Sequence, residues 1–212
     1  KADFYGLGDA TPAENELGNL IREGIAVNST AFLDYADPEH IRALGNPTEG
    51  ALLLWLHGLG VNYLDLRENA RVLEQLTFST ERKYMATVAE SPLLGKKVLY
   101  VKGAPEIVLG LCSTVLTPEG QVPAADMRPA IEEQLLAYQN QAMRTLGFAS
   151  LPLKDGEEAI AEGYIVDVAA SIISYKTLYN LQCAVVPKPE DEARYPAGVV
   201  AKALKNVAYQ DD

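Results

Sequence analysis

The pattern of apolar and polar residues along this chain changes between segments, and it distinguishes predicted helices from predicted strands. Over residues 13–27 the apolar positions follow the period of one helical face. That face is formed by Leu17, Leu20, Ile21 and Ile25. A second helix should begin after Asn46, a good N-cap that is followed by Pro47 in the first turn. Residues 51–59 of this helix are apolar on nearly every side, so we expect it to be buried.

The middle of the chain changes to a pattern typical of strands, from Leu73 to Lys102. Tight connections at residues 80–83 and 91–95 separate three predicted strands, which cover residues 73–79, 84–90 and 96–102. Consecutive strands joined by short turns predict an antiparallel meander rather than parallel strands joined by helices.

Further elements are predicted on either side of the meander. They are short helices over residues 63–72 and 104–112, a long amphipathic helix from about residue 126 to 146 with Gly147 just beyond it, strands over 148–153 and 178–186, a breaker-rich linker over 187–192 and a helix over 197–207. We predict one domain over residues 1–177, followed by a return strand, linker and terminal helix over 178–212. This order of elements predicts an α+β fold in which helices pack on an antiparallel sheet.

Charge and composition narrow the classes of function. The net charge of −11 argues against nucleic-acid binding, because such binding depends on basic residues that neutralise phosphates. The first residues lack the apolar core of a signal peptide, and the most apolar stretch, residues 50–61, is too short to span a bilayer. We therefore expect a soluble cytosolic chain without direct membrane contact. It begins without Met, so we expect a fragment or a processed segment.

Four short motifs place polar residues and glycine where the predicted helices and strands end. They cover Asn46–Leu52, Phe78–Lys83, Lys102–Glu106 and Met143–Gly147. Together they contribute lysines, an arginine, a glutamate and one isolated phenylalanine, which suit a pocket for a polyanionic aromatic ligand such as ATP. The chain has no phosphate-wrapping P-loop, so the base and ribose would carry much of the recognition.

Each motif residue also has a structural interpretation. Phe78 could stack on adenine or be a core residue. Lys83 could meet a phosphate or the base, or simply be solvated. Lys102 could contact an anion at a strand end, beside Gly103 with no side chain to block approach, or extend from a sheet edge to solvent.

The glutamate and the arginine have alternatives of the same kind. Glu49 could accept a hydrogen bond from the adenine amine, or reach back to Asn46 as a capping-box residue, or do both. Arg144 could bind phosphates or stabilise the dipole of a helix in whose last turn it is predicted to lie.

As a set, these motifs resemble the nucleotide-binding domain of P-type cation-transporting ATPases, the calcium-pump group in particular. The resemblance covers about residues 14–150 and implies a twisted antiparallel sheet between helical hairpins. It implies an ATP site in which Phe78 stacks on adenine. The other residues that it places at or near the nucleotide are Thr48, Glu49, Lys83, Met85, Lys102, Gly103 and Arg144. It implies no catalytic residue and no metal ligand in this chain.

The chain departs from the family pattern at two points. Thr80 stands where members often carry arginine, and the phosphorylated Asp-Lys-Thr-Gly-Thr motif is absent. We therefore predict a domain at the cytoplasmic face of a membrane that presents ATP, as Mg-ATP in a full-length calcium or other cation pump, to an aspartate in a separate phosphorylation domain, with an actuator domain as a further partner. The enzyme would be the whole pump, and this segment alone should not hydrolyse ATP.

Two other functions are open at this point. One is a non-catalytic interaction module that keeps the fold without binding nucleotide. The other is a freestanding hydrolase, which is disfavoured because His40 and His57 lack partners at recognisable spacing.

Overall fold

The computed structural model describes residues 2–4, 16–117, 120–140, 144–161, 164–165, 170–174 and 177–179. The helices are α1 Glu16–Val27, α2 Pro47–Gly58, α3 Tyr63–Asn69, α4 Pro105–Gly110 and α5 Ala124–Asn140. The strands are β1 Ala2–Phe4, β2 Phe32–Asp34, β3 Arg42–Leu44, β4 Arg71–Leu76, β5 Tyr84–Ser91, β6 Lys96–Gly103, β7 Cys112–Thr117, β8 Gly120–Pro123, β9 Arg144–Thr145, β10 Gly147–Pro152, β11 Ile160–Ala161, β12 Tyr164–Ile165, β13 Ala170–Ser174 and β14 Thr177–Tyr179.

A seven-stranded sheet forms the centre of the described chain, in the order β4-β5-β6-β10-β13-β7-β8. Its pairs are antiparallel except for β13 with β7. The predicted meander corresponds to β4, β5 and β6, and the predicted α+β class is confirmed. A separate three-stranded sheet has the order β1-β14-β9.

Helices cover both faces of the large sheet. Because successive residues of a strand face opposite sides, β6 contributes to two cores. Val98 and Tyr100 pack with residues of α1, α2 and α3, whereas Leu99 and Val101 pack with residues of α4 and α5. This two-sided burial explains why the strand is apolar without interruption from Val98 to Val101.

The start of α2 is confirmed in detail. The Asn46 side chain accepts hydrogen bonds from the backbone N–H groups of Thr48 at 2.9 Å and Glu49 at 3.3 Å, and Pro47 is the first helical residue. The helix ends at Gly58, and Gly60 follows with a φ of 73°. Leu52, Leu53 and Leu56 are fully buried, as the apolar sequence predicts.

The long helix predicted over residues 126–146 is too long. Helix α5 ends at Asn140, and Arg144 and Thr145 form strand β9. Gly147 begins β10, opposite Gly103 of β6, so it does not terminate a helix. A Cβ there would lie 3.0 Å from Val108 Cβ and 3.2 Å from Pro105 Cα, so this glycine serves close packing against α4.

Several other elements differ from the predicted ones or were not predicted. Residues 71–72, predicted as helix, belong to β4, and the hairpins β2–β3 and β7–β8 were not predicted. The predicted strand 178–186 is described only as part of β14. Residues 13–15, Met143 and residues 180–212, with the predicted linker and terminal helix, lie outside the described residues. The division at residue 177 stays a prediction.

Among the described helices, none combines the length and apolar character that a bilayer-spanning segment needs.

Candidate functional site

A cavity of about 430 Å³ lies beside the start of α2. The end of β6, strand β9 and the connection that follows β4 also contribute to it. Its wall is formed by Asn46, Thr48, Glu49, Phe78, Lys83, Lys102, Gly103, Ala104, Arg144 and Leu146. Seven of the eight predicted site residues are therefore brought together. The eighth, Met85, is 1% exposed and is not part of the wall.

Phe78 lies in the connection between β4 and β5. Its side chain is 50% exposed and contributes to the cavity wall, so the alternative that it is a core residue is wrong. An exposed ring in a concave surface leaves apolar area uncovered, which a planar ligand could bury.

Two backbones meet closely beside this ring. Gly103 at the end of β6 pairs with Tyr84, and the carbonyl of Lys83 accepts the N–H of Ala104 at 2.9 Å. A Cβ on Gly103 would lie 2.4 Å from the Lys83 oxygen and 2.7 Å from Tyr84 Cα. Lys83 itself has a φ of 60°, in the left-handed region. The close approach that requires glycine here is therefore to the neighbouring strand.

Lys102 does not extend from a sheet edge to solvent. It lies on the interior strand β6, between β5 and β10, is 5% exposed, and its Nζ is 3.0 Å from Oε1 of Glu49. The same ammonium donates to the carbonyl of Asn28. Burial lowers the pKa of Lys102 to about 8, although the Glu49 carboxylate acts in the opposite direction.

The Glu49 carboxylate is hydrogen-bonded to the loop that follows α1. Its Oε2 accepts from Thr30 N at 2.7 Å, Thr30 Oγ1 at 2.9 Å, Ala31 N at 3.1 Å and Ser29 Oγ at 3.3 Å. The predicted capping-box contact to Asn46 is not among its hydrogen bonds. Burial alone would raise the pKa of Glu49, but the Lys102 charge and the hydrogen bonds from Lys102 and Thr30 lower it below its usual value.

Arg144 reaches the cavity from β9, whose backbone pairs with Tyr179 of β14. The predicted interaction with a helix dipole is wrong, because this residue is not on a helix. With Lys83 and Lys102 it places three cationic side chains around the cavity, beside one carboxylate. This local excess of positive charge contrasts with the net charge of −11 of the whole chain.

Some contributors were not predicted as site residues. Asn46, Ala104 and Leu146 line the cavity next to motif residues that were named, so their neighbours in sequence were a usable signal. Arg67 on α3 hydrogen-bonds the loop that holds Glu49, and nothing in its local sequence indicates this. In the described part of the chain, no group of three or more His, Cys, Asp or Glu side chains is arranged to hold a metal ion.

Comparison with known proteins gives matches over most of the chain. The family model described as P-type ATPase, cytoplasmic domain N, matches residues 16–177. A calcium-transporting ATPase, PAT1, of Dictyostelium discoideum is 30% identical over 151 residues, which are 71% of this chain and 13% of the relative. The calcium-transporting ATPase 1 of Lactococcus lactis is 30% identical over 153 residues, covering 71% of this chain and 16% of the relative.

A relative with a broader name matches over a similar length. The cation-transporting ATPase pma1 of Synechocystis is 33% identical over 166 residues, which are 76% of this chain and 17% of the relative. The chain thus spans only 13% to 17% of the length of these three relatives.

Proposed function

Because this chain belongs to the family of cytoplasmic N domains of P-type ATPases, we propose that it binds ATP in the cavity beside Phe78. The observation that carries the proposal is the joint presence, in one cavity, of an exposed aromatic ring and three cationic side chains. A ring supplies a stacking surface for a base, and cations supply charge-assisted hydrogen bonds to phosphates.

The cavity has a size suited to this role. At about 430 Å³ it falls in the range of small-molecule sites. Phe78 would stack on the adenine, while Lys83 and Arg144, which approach from different elements, would bind the phosphates. The contribution to catalysis would be positioning, on which phosphoryl transfer depends strongly. The attacking aspartate would belong to another domain of the same protein.

We also propose an activity for the whole protein. Relatives described as calcium-transporting ATPases support a full-length pump that couples ATP hydrolysis to cation transport, with calcium as the ion. This domain would receive Mg-ATP at the cytoplasmic face of the membrane and would work with phosphorylation and actuator domains. The described segment alone should not turn over ATP.

A second candidate is an interaction module that keeps the fold without nucleotide binding. Thr80, which stands where family members often carry arginine, is exposed and contributes nothing to the cavity wall. This removes one phosphate contact, so we expect weak binding rather than none. A dissociation constant on the order of 0.1–1 mM is consistent with one stacking ring and a few charged contacts.

An NMR titration with ATP distinguishes the two candidates. We expect saturable shifts of the amides around Phe78, Lys83 and Gly103, and a dissociation constant in the millimolar range or below. An absence of shifts at these amides at several millimolar ATP would refute nucleotide binding and favour the interaction module.

Replacing Phe78 by alanine should weaken ATP binding without unfolding the domain. Loss of base stacking is expected to cost about 1–3 kcal/mol, which is at least fivefold in dissociation constant. The free energy of unfolding should change little, because the ring is half exposed. Calorimetric titration and urea unfolding measure the two quantities.

Tyr35→Ala is a matched control for Phe78→Ala. Tyr35 is an exposed aromatic residue that does not contribute to the cavity wall, so its loss should leave ATP affinity unchanged. Equal losses of affinity in the two variants would contradict a stacking role for Phe78.

A further inference from the structure

We infer that Arg82 is a positioning residue, which holds Phe78 in the cavity without contacting the ligand itself. Arg82 does not contribute to the cavity wall, although Phe78 and Lys83 of the same loop do. The inference rests on the proposed nucleotide binding, and it gives a role to a residue that was not predicted as a site residue.

The loop between β4 and β5, residues 77–83, carries two cavity residues on a short length of chain. Phe78 is its second residue and Lys83 is its last. Half of the Phe78 ring is exposed, so packing of the ring alone does little to fix its direction. The direction of the ring therefore depends on how the backbone of the loop is held.

The Arg82 side chain holds this backbone on one side of Phe78. Its Nη2 donates to the carbonyl of Thr77 at 2.8 Å. That carbonyl lies in the same rigid peptide plane as the N–H of Phe78. A fixed Thr77 carbonyl therefore fixes the plane from which Phe78 extends.

Backbone groups hold the other side of Phe78. The N–H of Lys83 donates to the carbonyl of Ser79 at 2.8 Å, and the N–H of Arg82 donates to Ser79 Oγ at 3.1 Å. The carbonyl of Lys83 also accepts from Ala104 N at 2.9 Å. None of these three bonds uses the Arg82 side chain, so its removal should release the Thr77 side of Phe78 and leave Lys83 in place.

The guanidinium is supported from behind by the β11–β12 hairpin. It lies 5.9 Å from the centre of the Tyr164 ring, within the range of a cation–π contact. The N–H of Ile165 donates to Tyr84 Oη at 3.3 Å, which attaches the hairpin to β5. The Nε of Arg82 is buried and has no acceptor among the residues that the structure describes. The side chain is therefore packed between the loop and the hairpin rather than extended into solvent.

The alternative is that Arg82 binds a phosphate directly. It stands two residues beyond Thr80, the position at which family members often carry arginine, but neither residue contributes to the cavity wall. To reach a phosphate, the guanidinium would have to leave Thr77 and Tyr164. The two roles predict different results, because a positioning residue acts on the ligand only through Phe78.

The first experiment needs no ligand. NMR relaxation of the backbone amides is measured in the wild-type chain and in Arg82→Met. We expect the order parameter of the Phe78 amide to fall from about 0.85, typical of rigid backbone, towards 0.6, while that of Lys83 keeps its wild-type value. An unchanged value at Phe78, or an equal fall at Lys83, would overturn the inference.

Arg71→Met is the matched control. Arg71 is an exposed arginine at the other end of β4, where its nearest ion-pair contact is Glu90 at 3.9 Å. This variant removes the same charge from the chain and should leave the Phe78 amide unchanged. A fall of the Phe78 order parameter in Arg71→Met equal to that in Arg82→Met would overturn the inference.

Tyr164→Leu provides an independent variant in case Arg82→Met does not fold. It removes the ring that supports the guanidinium and changes no residue of the loop or of the cavity wall. The order parameter of the Phe78 amide should fall in the same direction as in Arg82→Met, but by less. An unchanged value in Tyr164→Leu would overturn the inference.

The second experiment is a double-mutant cycle on ATP binding, measured by calorimetric titration at high ionic strength to screen long-range charge effects. Arg82→Met should weaken ATP binding about threefold or more in the wild-type chain, as expected for the loss of one hydrogen bond that orders the site. In the Phe78→Ala background, the same change should have almost no effect, because the residue through which Arg82 acts is already absent.

An equal loss of affinity in both backgrounds would show that Arg82 contacts the nucleotide itself, and would overturn the inference. So would an unchanged affinity of Arg82→Met in the wild-type chain. If the wild-type chain does not bind ATP, the proposed function fails, while the relaxation measurement still decides whether Arg82 holds Phe78.

Discussion

Replacing Lys102 by methionine should lower the free energy of unfolding by about 3–5 kcal/mol, and abolish most ATP binding as well. The reason is that the variant leaves the Glu49 carboxylate buried without its counter-charge. The hydrogen bonds from Thr30 and Ala31 remain and place the expected cost towards the lower end of this range. Urea unfolding measures the stability, and calorimetric titration at low temperature measures the affinity.

Two further variants separate the loss of charge balance from the loss of a ligand contact. The double variant Lys102→Met with Glu49→Gln removes both charges and should recover much of the stability without recovering ATP binding. Lys97→Met changes an exposed lysine of the same strand and should alter stability by less than about 0.5 kcal/mol. If Lys102→Met were as stable as the wild-type chain, the buried pair of Lys102 and Glu49 would contribute nothing to folding.

Replacing Gly103 by alanine should destabilise the domain by about 1–3 kcal/mol or more, and should also disturb the cavity. The added methyl group would lie 2.4 Å from the Lys83 oxygen and 2.7 Å from Tyr84 Cα, and both are backbone atoms that move only with their strand. Separating β5 from β6 at this point would displace Lys83, so ATP affinity should fall together with stability.

Gly110→Ala is the matched control, because it adds the same methyl group at a position where a Cβ meets no other atom. A Cβ on Gly110, in the last turn of α4, has no neighbour within 4 Å. Alanine is favoured over glycine in a helix by roughly 0.5–1 kcal/mol, so this variant should be neutral or more stable. Equal destabilisation of the Gly103 and Gly110 variants would contradict a steric cause. Thermal unfolding of both proteins provides the comparison.

The elements that could be predicted are those specified by neighbouring residues. The start of α2 depends on Asn46 and Pro47, and the β5–β6 hairpin depends on two strand-like segments with a turn at Gly95, whose φ is 62°. The set of residues around the cavity was predictable for a related reason. Most members stand in short motifs at the ends of elements, where side chains of different elements meet.

What could not be predicted depends on partners distant in sequence. The burial of Lys102 requires Asn28 and Glu49, and the role of Arg67 requires the loop at residues 26–31. The end of α5 also depends on remote contacts. The helical pattern continues to residue 146, but Gly147 pairs with Gly103 of β6, and Arg144 pairs with Tyr179 of β14. Sheet pairing overrides local helical preference there.

The pairing of β9 means that the cavity is built from two different sheets. Arg144 belongs to the three-stranded sheet of β1, β14 and β9, whereas Lys102 belongs to the seven-stranded sheet, and only Leu146 separates β9 from β10. Two sides of the cavity therefore belong to two different sheets, which the chain connects at Leu146 and again between β13 and β14. The separation of Arg144 from Phe78 and Lys102 therefore depends on how the small sheet is oriented relative to the large one.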